Sequence, residues 1–376
     1  MSEATSAAPS PVPAAPPASN RLPALDVLRA VAVLMVIGRH LHNVEMGPPV
    51  LAALLQRWHA CGWMGVDLFF VLSGFLVSGL LFSEYRRTGA LRPGRFLGRR
   101  GFKIYPGYYV FLLVTWLWVG DRIPRASFLH ELFFIQNYTT RIWNHTWSLA
   151  VEEHFYLGLA VLLWALARWR PGPDPFRALP RVCGAVLALV FALRLRAQSL
   201  HPGGDLLLPT HARIDALFFG TLLSYHWAYH REAFLALLRR FRSVILAGAL
   251  ALLLPCLLLP LEGSFFINTV GLTLNYLGFG GLIMLAVADT ADGQTPSRWL
   301  APLARVGFYS YSIYLWHTMV SGLCAHYLPP RIGWPATTAA YVAGSIAAGV
   351  LTARLVELPF LRLRDRLLPS PTRGAV

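Results

Sequence analysis

Residues 25–42 read LDVLRAVAVLMVIGRHLH, a run of apolar side chains interrupted by a few ionisable ones. A membrane-spanning helix needs about 20 predominantly apolar residues, and this run approaches that length. Arg29 and His40 are eleven positions apart in it, which is within about 20° of three full helical turns. We therefore expect both side chains on one helix face, roughly 16 Å apart along the axis. Ionisable groups inside such a span are costly and usually mark a functional site.

The rest of the chain has the same apolar character. Of its 376 residues, 56% are hydrophobic and only 14% are charged, whereas a soluble domain has about 25% charged residues. So few charges predict an all-α, polytopic membrane protein with about ten transmembrane helices. The candidate spans are residues 24–43, 63–83, 103–120, 147–168, 182–200, 206–228, 243–261, 265–288, 305–327 and 335–357.

The charged residues are unevenly distributed between the loops. The formal net charge is +15 and arises almost wholly from arginine. Basic residues concentrate after the second, fourth, sixth and last spans, and such loops stay in the cytoplasm by the positive-inside rule, so both termini are expected there. This explains the positive charge without a nucleic-acid partner. We predict a disordered tail over 1–23, a transmembrane domain over 24–363 and a cytoplasmic tail over 364–376.

Six segments after the first span resemble, in the expected order, signatures of the membrane-bound acyltransferase 3 family. The first helix of that family also carries an arginine, ten further residues and then a histidine, as at Arg29 and His40. The six segments are GWMGVDLFFVLSGFL (62–76), FLGRRGFKIYPGYY (96–109), TWSLAVEEHFYL (146–157), THARIDALFFG (210–220), YSIYLWH (311–317) and LVELPFLRL (355–363). The resemblance thus extends over essentially the whole predicted transmembrane domain.

The resemblance implies an integral membrane O-acyltransferase. Such an enzyme moves an acyl group, here expected to be acetyl, from cytoplasmic acyl-coenzyme A to a hydroxyl of a sugar or glycan, often across the membrane. The expected partners are acyl-coenzyme A, a carbohydrate or other hydroxylated acceptor, and the lipid bilayer of a cell membrane (the bacterial inner membrane). Two alternatives stay open: a small-molecule acceptor such as a macrolide, and a transporter or flippase without covalent chemistry.

The expected catalytic residues are His40, Arg29 and Glu152. A hydroxyl is a poor nucleophile at neutral pH and needs a base within hydrogen-bond reach. His40 could be that base, or it could carry the acyl group itself. Arg29 could stabilise the developing oxyanion or hold the pantetheine or a phosphate of the donor. Either Glu152 or Glu153 could orient His40, and the family pattern favours Glu152.

The segment Arg99–Lys103 is the expected donor site. Arg99, Arg100 and Lys103 would face the phosphates of coenzyme A, because a guanidinium can bind two phosphate oxygens at once. Topology alone also explains basic residues in this segment. The family has an arginine where this chain has Lys103, which keeps the charge but not the planar fork. No Cys/His metal spacing occurs, so no metal cofactor is expected.

The expected acceptor-side residues are Trp147, Arg213 and Asp215. Arg213 and Asp215 are two positions apart and cannot pair on one helix face. They could pair with other helices or line the acceptor site, and both possibilities stay open. Trp147 could equally be an interfacial aromatic residue at a helix start. His317 is interpreted as a hydrogen-bond donor between helices.

Overall fold

The computed structural model describes residues 22–42, 48–204 and 206–369, with the side chains of residues 329–332 left out. In this part of the chain the secondary structure is helical, with no strand. The all-α prediction is therefore confirmed. The predicted N-terminal tail as far as residue 21, and residues 370–376 of the predicted C-terminal tail, lie outside the described residues.

Each predicted span coincides with one helix or with consecutive helices. These helices are α1 (Pro23–Arg39), α3 (Met64–Thr88), α4 (Pro93–Val119), α6 (Trp147–Trp169), α7 (Leu179–Leu200), α8 (Thr210–Tyr229), α10 (Arg242–Leu258), α11 (Leu272–Ala291), α12 (Ala301–Phe308), α13 (Ser310–Tyr327) and α14 (Pro329–Thr352). Four further α-helices among the described residues were not predicted: α2 (Pro49–Cys61), α5 (Arg125–Leu132), α9 (Arg231–Arg240) and α15 (Leu358–Leu367).

The helix boundaries differ from the prediction mainly at basic and irregular segments. Helix α4 begins at Pro93, ten residues before the predicted span, so the arginine-rich segment is helical and not a loop. Proline fits this position because the first turn of a helix needs no amide hydrogen. Single π-helical turns at Ile267–Gly271 and Ala353–Glu357 lead into α11 and α15, and such turns occur frequently at functional sites.

Among the described residues, five helical segments are long and apolar enough to cross a membrane on their own. They are Met64–Thr88, Pro93–Arg122, Trp147–Trp169, Ile267–Ala291 and Gly333–Leu367, and the pair α9 and α10, bent by 79°, would make a sixth. Helix α1 has only 17 residues, and α8 carries Arg213 and Asp215. The count of ten spans therefore stays a prediction.

Close helix packing positions the site. Helices α3 and α8 cross at Gly74 and Gly220, where a Cβ atom on either residue would overlap the backbone of the other helix. Helix α1 approaches α12 in the same way at Gly307, whose Cβ would overlap the carbonyl of Asp26. Small residues let helix backbones approach closely where apolar solvent gives no hydrophobic driving force. These contacts fix α3 beside α8 and α1 beside α12.

We predict that Gly74→Ala lowers the apparent melting temperature of the protein in detergent. The added methyl group would overlap the carbonyl oxygen of Leu217, and overpacking of this kind costs about 1–3 kcal/mol. Gly158→Ala is the matched control, since open space surrounds that helical glycine. Alanine has the higher helix propensity, so the control should melt at an equal or higher temperature. Equal melting of the two variants would contradict the close packing of α3 on α8.

Candidate active site

Helix α1 presents its two expected catalytic residues to two different cavities. Arg29 lines a cavity of about 230 Å³, hereafter the Arg29 cavity. His40, which directly follows α1, lines a cavity of about 300 Å³, hereafter the His40 cavity. Val66 and Tyr314 line both. The sequence predicts that Arg29 and His40 share one helix face, and in the structure the space beside α1 is divided into two cavities.

Tyr314 is held firmly between the two cavities by hydrogen bonds. Its hydroxyl donates to the carbonyl of His145 at 2.7 Å and lies 2.5 Å from the Ser148 hydroxyl. His145 precedes α6 and Ser148 lies in its first turn. Tyr314, which lies between the two cavities, is therefore fixed by the same helix start that carries Trp147.

His40 is oriented by a second histidine. Its Nδ1 lies 3.0 Å from the carbonyl oxygen of Val36 and 3.2 Å from Nε2 of His317. Nδ1 of His317 faces the carbonyl oxygen of Tyr314 and must therefore carry a hydrogen. In a neutral imidazole the other nitrogen is then an acceptor, so His40 donates from Nδ1. This network leaves the lone pair of His40 Nε2 available for chemistry.

A third imidazole lies behind this pair. His145 lines the His40 cavity, and its ring centroid is 5.0 Å from that of His317. Its Nε2 donates to the carbonyl of Leu315 at 3.1 Å, and its Nδ1 accepts from the Thr318 hydroxyl at 2.9 Å. Sequence reasoning did not select His145, which lies one residue before the 146–157 motif. It selected His317 only as a hydrogen-bond donor.

Glu152 lies on the Arg29 cavity and not on the His40 cavity. Its carboxylate accepts from Ser73 at 3.0 Å and from Tyr156 at 2.5 Å. The expected pairing of Glu152 with His40 is therefore wrong. Trp147 lines the His40 cavity, and Glu152 follows it by five residues, which places Glu152 about 8 Å further along α6. Glu153 instead accepts from Tyr105 at 3.0 Å.

The three expected donor-binding residues have different surroundings. Arg100 lines the Arg29 cavity, and its guanidinium lies 5.2 Å from the ring centroid of Tyr156. Lys103 also lines it and pairs with Glu357. Arg99 is absent from the lining; it pairs with Asp365 at 3.1 Å on α15.

Two of the three expected acceptor-side residues line the His40 cavity. Trp147 and Arg213 line it, whereas Asp215 does not. Asp215 pairs with Arg194 of α7 at 2.7 Å, and Arg213 pairs with Asp67 of α3. Asp215 and Arg213 therefore both pair with residues of other helices, which is one of the two possibilities that the sequence left open.

The rim of the His40 cavity carries one further ion pair. Arg39 at the end of α1 pairs with Glu262, and both line the cavity. Partial burial acts to raise the pKa of the Glu262 carboxyl, but the hydrogen bond from Arg39, a backbone hydrogen bond and the nearby charges of Arg39 and His59 together outweigh it and lower that pKa below its ordinary value. The rim glutamate is therefore ionised at neutral pH and offsets the charge of Arg39.

Residues 22–354 match the model of a family described as an acyltransferase domain. This match covers most of the chain, so the protein belongs to that acyltransferase family. The resemblance drawn from the sequence motifs is thereby confirmed. No solved structure matches the chain.

Several bacterial proteins are similar to this chain. The peptidoglycan O-acetyltransferase OatA of Listeria monocytogenes is 27% identical over 371 residues, which cover 90% of this chain and 55% of that protein. A putative O-acetyltransferase of Staphylococcus aureus strain COL is 27% identical over 94% of this chain and 61% of its own length. The O-acetyltransferase OatA of S. aureus NCTC 8325 is 27% identical over 79% of this chain and 50% of its own length. The chain thus spans only part of the length of these relatives.

We predict that Asp215 stabilises the fold. Asp215→Asn would leave the buried guanidinium of Arg194 without its ionic partner, and breaking such a buried pair costs about 3–5 kcal/mol. The measurement is the melting temperature in detergent. Asp289→Asn is the matched control, because its pair with Arg242 is largely exposed and such pairs contribute about 0–1 kcal/mol. Equal effects of the two substitutions would contradict the structural role of Asp215.

Proposed function

We propose that this acyltransferase moves an acetyl group from cytoplasmic acetyl-coenzyme A to a hydroxyl of a sugar or glycan on the far side of a cell membrane. One observation carries the proposal: His40 lines a cavity of about 300 Å³ while His317 holds its Nδ1. A neutral imidazole with a free Nε2 beside a cavity suits a general base for a hydroxyl. The names of the relatives, which are O-acetyltransferases, support the choice of acetyl and of a glycan.

The proposed reaction uses His40 as a general base. Nε2 takes the proton of the acceptor hydroxyl while the oxygen attacks the thioester carbonyl carbon. The carbon–sulfur bond then breaks, and the coenzyme A thiolate recovers the proton from His40. The imidazolium formed in between is stabilised by the hydrogen bond from its Nδ1 to His317. In a dry site such a charge-assisted bond is stronger than a neutral one.

The Arg29 cavity is the proposed donor site. It collects the basic side chains of Arg29, Arg100 and Lys103, which suit an anionic donor. Arg29 is paired with Asp26 and Lys103 with Glu357, so Arg100 would supply the charge that no ion pair among the described residues compensates. Arg29 lies about 16 Å along α1 from His40, so we assign it to holding the pantetheine or a phosphate and not to the oxyanion. The thioester would reach His40 between Val66 and Tyr314, which line both cavities.

The proposed topology follows from these roles. Donor chemistry faces the cytoplasm, so the Arg29 cavity would open inward and the His40 cavity outward, with ten spans and both termini inside. Glu152 would hold the donor site together through Ser73 and Tyr156. Arg99 would support the donor site indirectly by fixing α15 through Asp365.

We expect His40→Ala to abolish acetyl transfer, with a loss of about 10²–10⁴-fold in kcat, because it removes the general base. The measurement is release of coenzyme A from acetyl-coenzyme A by purified protein with a glycan acceptor. His326→Ala is the control, since that histidine is exposed at the end of α13. Full activity in His40→Ala would remove this residue from the mechanism.

We expect His317→Gln to retain more activity than His317→Leu. The glutamine carbonyl can still accept a hydrogen bond from His40 Nδ1, whereas leucine cannot. A hydrogen bond to a charged group contributes about 1.5–3 kcal/mol, so the leucine variant should lose roughly 10–100-fold in kcat with little change in KM. Equal activity of the two variants, at matched thermal stability, would contradict the orienting role of His317.

We expect Arg100→Ala to raise KM for acetyl-coenzyme A about tenfold, because it removes a cation from the donor cavity. The effect should shrink at high ionic strength, since salt screens the attraction between charges. Arg87→Ala is the control, as this exposed arginine belongs to the same basic region but lies outside the cavity. An unchanged KM in Arg100→Ala would show that the donor site is misplaced.

A further inference from the structure

A further cavity, of about 580 Å³, lies beside the start of helix α1, at the end opposite His40. It is hereafter the Arg305 cavity, and its lining includes Asp26 of α1, Arg305 and Phe308 of α12, and Arg354 of the π-helical turn before α15. Small-molecule and cofactor sites typically have volumes of about 300–1,000 Å³. The Arg305 cavity is therefore large enough to hold a substantial part of a ligand.

The charges that line the Arg305 cavity favour an anion. Asp26 is paired with Arg29 at 2.9 Å, so its carboxylate is already compensated. Arg305 and Arg354 are both exposed, and neither guanidinium has an ion-pair or hydrogen-bond partner within the part of the chain that the structure describes. A guanidinium can donate to two phosphate oxygens at once. Two guanidiniums with free donors on one cavity therefore suit a phosphate group.

The same cavity offers aromatic surface. Phe308 and Tyr309 both line it, and their ring centroids are 4.6 Å apart at an interplanar angle of 81°. Bases of nucleic acids and nucleotides stack on aromatic side chains, because every base has a π-face. Arginines for a phosphate and aromatic rings for a base together suit a nucleotide.

The Arg305 cavity adjoins the proposed donor site. Phe308 lines both cavities, and the pair of Asp26 with Arg29 joins a residue of one to a residue of the other. The Arg29 cavity, at about 230 Å³, has room for roughly eight water-sized groups at ~30 Å³ each, and acetyl-coenzyme A has several times as many non-hydrogen atoms. A donor whose acyl end points from the Arg29 cavity toward His40 would therefore place its nucleotide end in a neighbouring space.

We propose that the Arg305 cavity binds the 3′-phosphorylated adenosine end of the acyl-coenzyme A donor. Arg305 and Arg354 hold the 3′-phosphate, and Phe308 and Tyr309 provide the stacking surface for the adenine. The pyrophosphate and the pantetheine then occupy the Arg29 cavity, and the thioester points toward the His40 cavity. This inference rests on the proposed function, because it takes an acyl-coenzyme A as the donor.

Coenzyme A and 3′-dephospho-coenzyme A differ only in the 3′-phosphate, so the pair tests the inference directly. Binding of each to the purified protein is measured by calorimetry without an acceptor. We expect coenzyme A to bind about tenfold more tightly, because charge-assisted hydrogen bonds to phosphate are strong. This preference should shrink as the salt concentration rises. Equal binding of the two compounds at low salt would overturn the inference.

Variants locate the 3′-phosphate. Arg305→Ala and Arg354→Ala should each weaken binding of coenzyme A several-fold and leave binding of 3′-dephospho-coenzyme A unchanged. Arg298→Ala is the matched control, because Arg298 lies nearby in the sequence over the ring of Trp299 but outside the cavity lining. Full preference for coenzyme A in the double variant of Arg305 and Arg354 would place the 3′-phosphate elsewhere and overturn the inference.

The headgroup of an anionic lipid offers the same phosphate chemistry, and nanodiscs separate the two sources. In phosphatidylcholine nanodiscs, loss of the preference for coenzyme A in the double variant would support the inference. In nanodiscs that also contain phosphatidylglycerol, the double variant could instead keep this preference and lose only the thermal stabilisation by the anionic lipid. That result would assign Arg305 and Arg354 to a lipid headgroup and overturn the inference.

Binding and transfer readouts separate this inference from the proposed function. Preferential binding of coenzyme A, lost in the double variant, without any acetyl transfer would support the inference and count against the proposed function. Acetyl transfer with equal KM from acetyl-coenzyme A and from its 3′-dephospho form, abolished in His40→Ala, would support the proposed function and overturn the inference.

Discussion

The high cost of an unpaired charge in an apolar interior shapes this structure. Each buried ion pair joins two different helices: Arg194 of α7 with Asp215 of α8, and Arg213 of α8 with Asp67 of α3. Removing either partner leaves the other uncompensated, so the pairs favour one arrangement of helices over alternatives. That arrangement brings the start of α8 beside Trp147 and forms one wall of the His40 cavity.

The sequence predicted the helices well because the length and apolarity of a span are local properties. It also singled out Arg29 and His40, each of which lines a cavity, since an ionisable group within an apolar run stands out by itself. It failed where partners come from distant helices. His317 holds His40 across 277 positions, whereas Glu152, the residue expected to do so, lies on the other cavity. Helical periodicity gives the face of a residue but not the neighbouring helix that it meets.

Three imidazoles take the place of the expected carboxylate–imidazole pair. A carboxylate beside His40 would add a charge that must be desolvated, whereas neutral histidines satisfy each other through one donor and one acceptor nitrogen. Backbone carbonyls of Tyr314 and Leu315 anchor His317 and His145, respectively. The chain therefore fixes the orientation of His40 without a further buried anion.

The division of the space beside α1 at Val66 and Tyr314 has a consequence for the cell. An open passage through a bilayer would let protons and metabolites leak and dissipate the energy stored across it. In this protein a phenol anchored on Ser148 and His145 lies between the two cavities. On the proposed topology, a small acyl group would pass this phenol while the membrane stays electrically sealed.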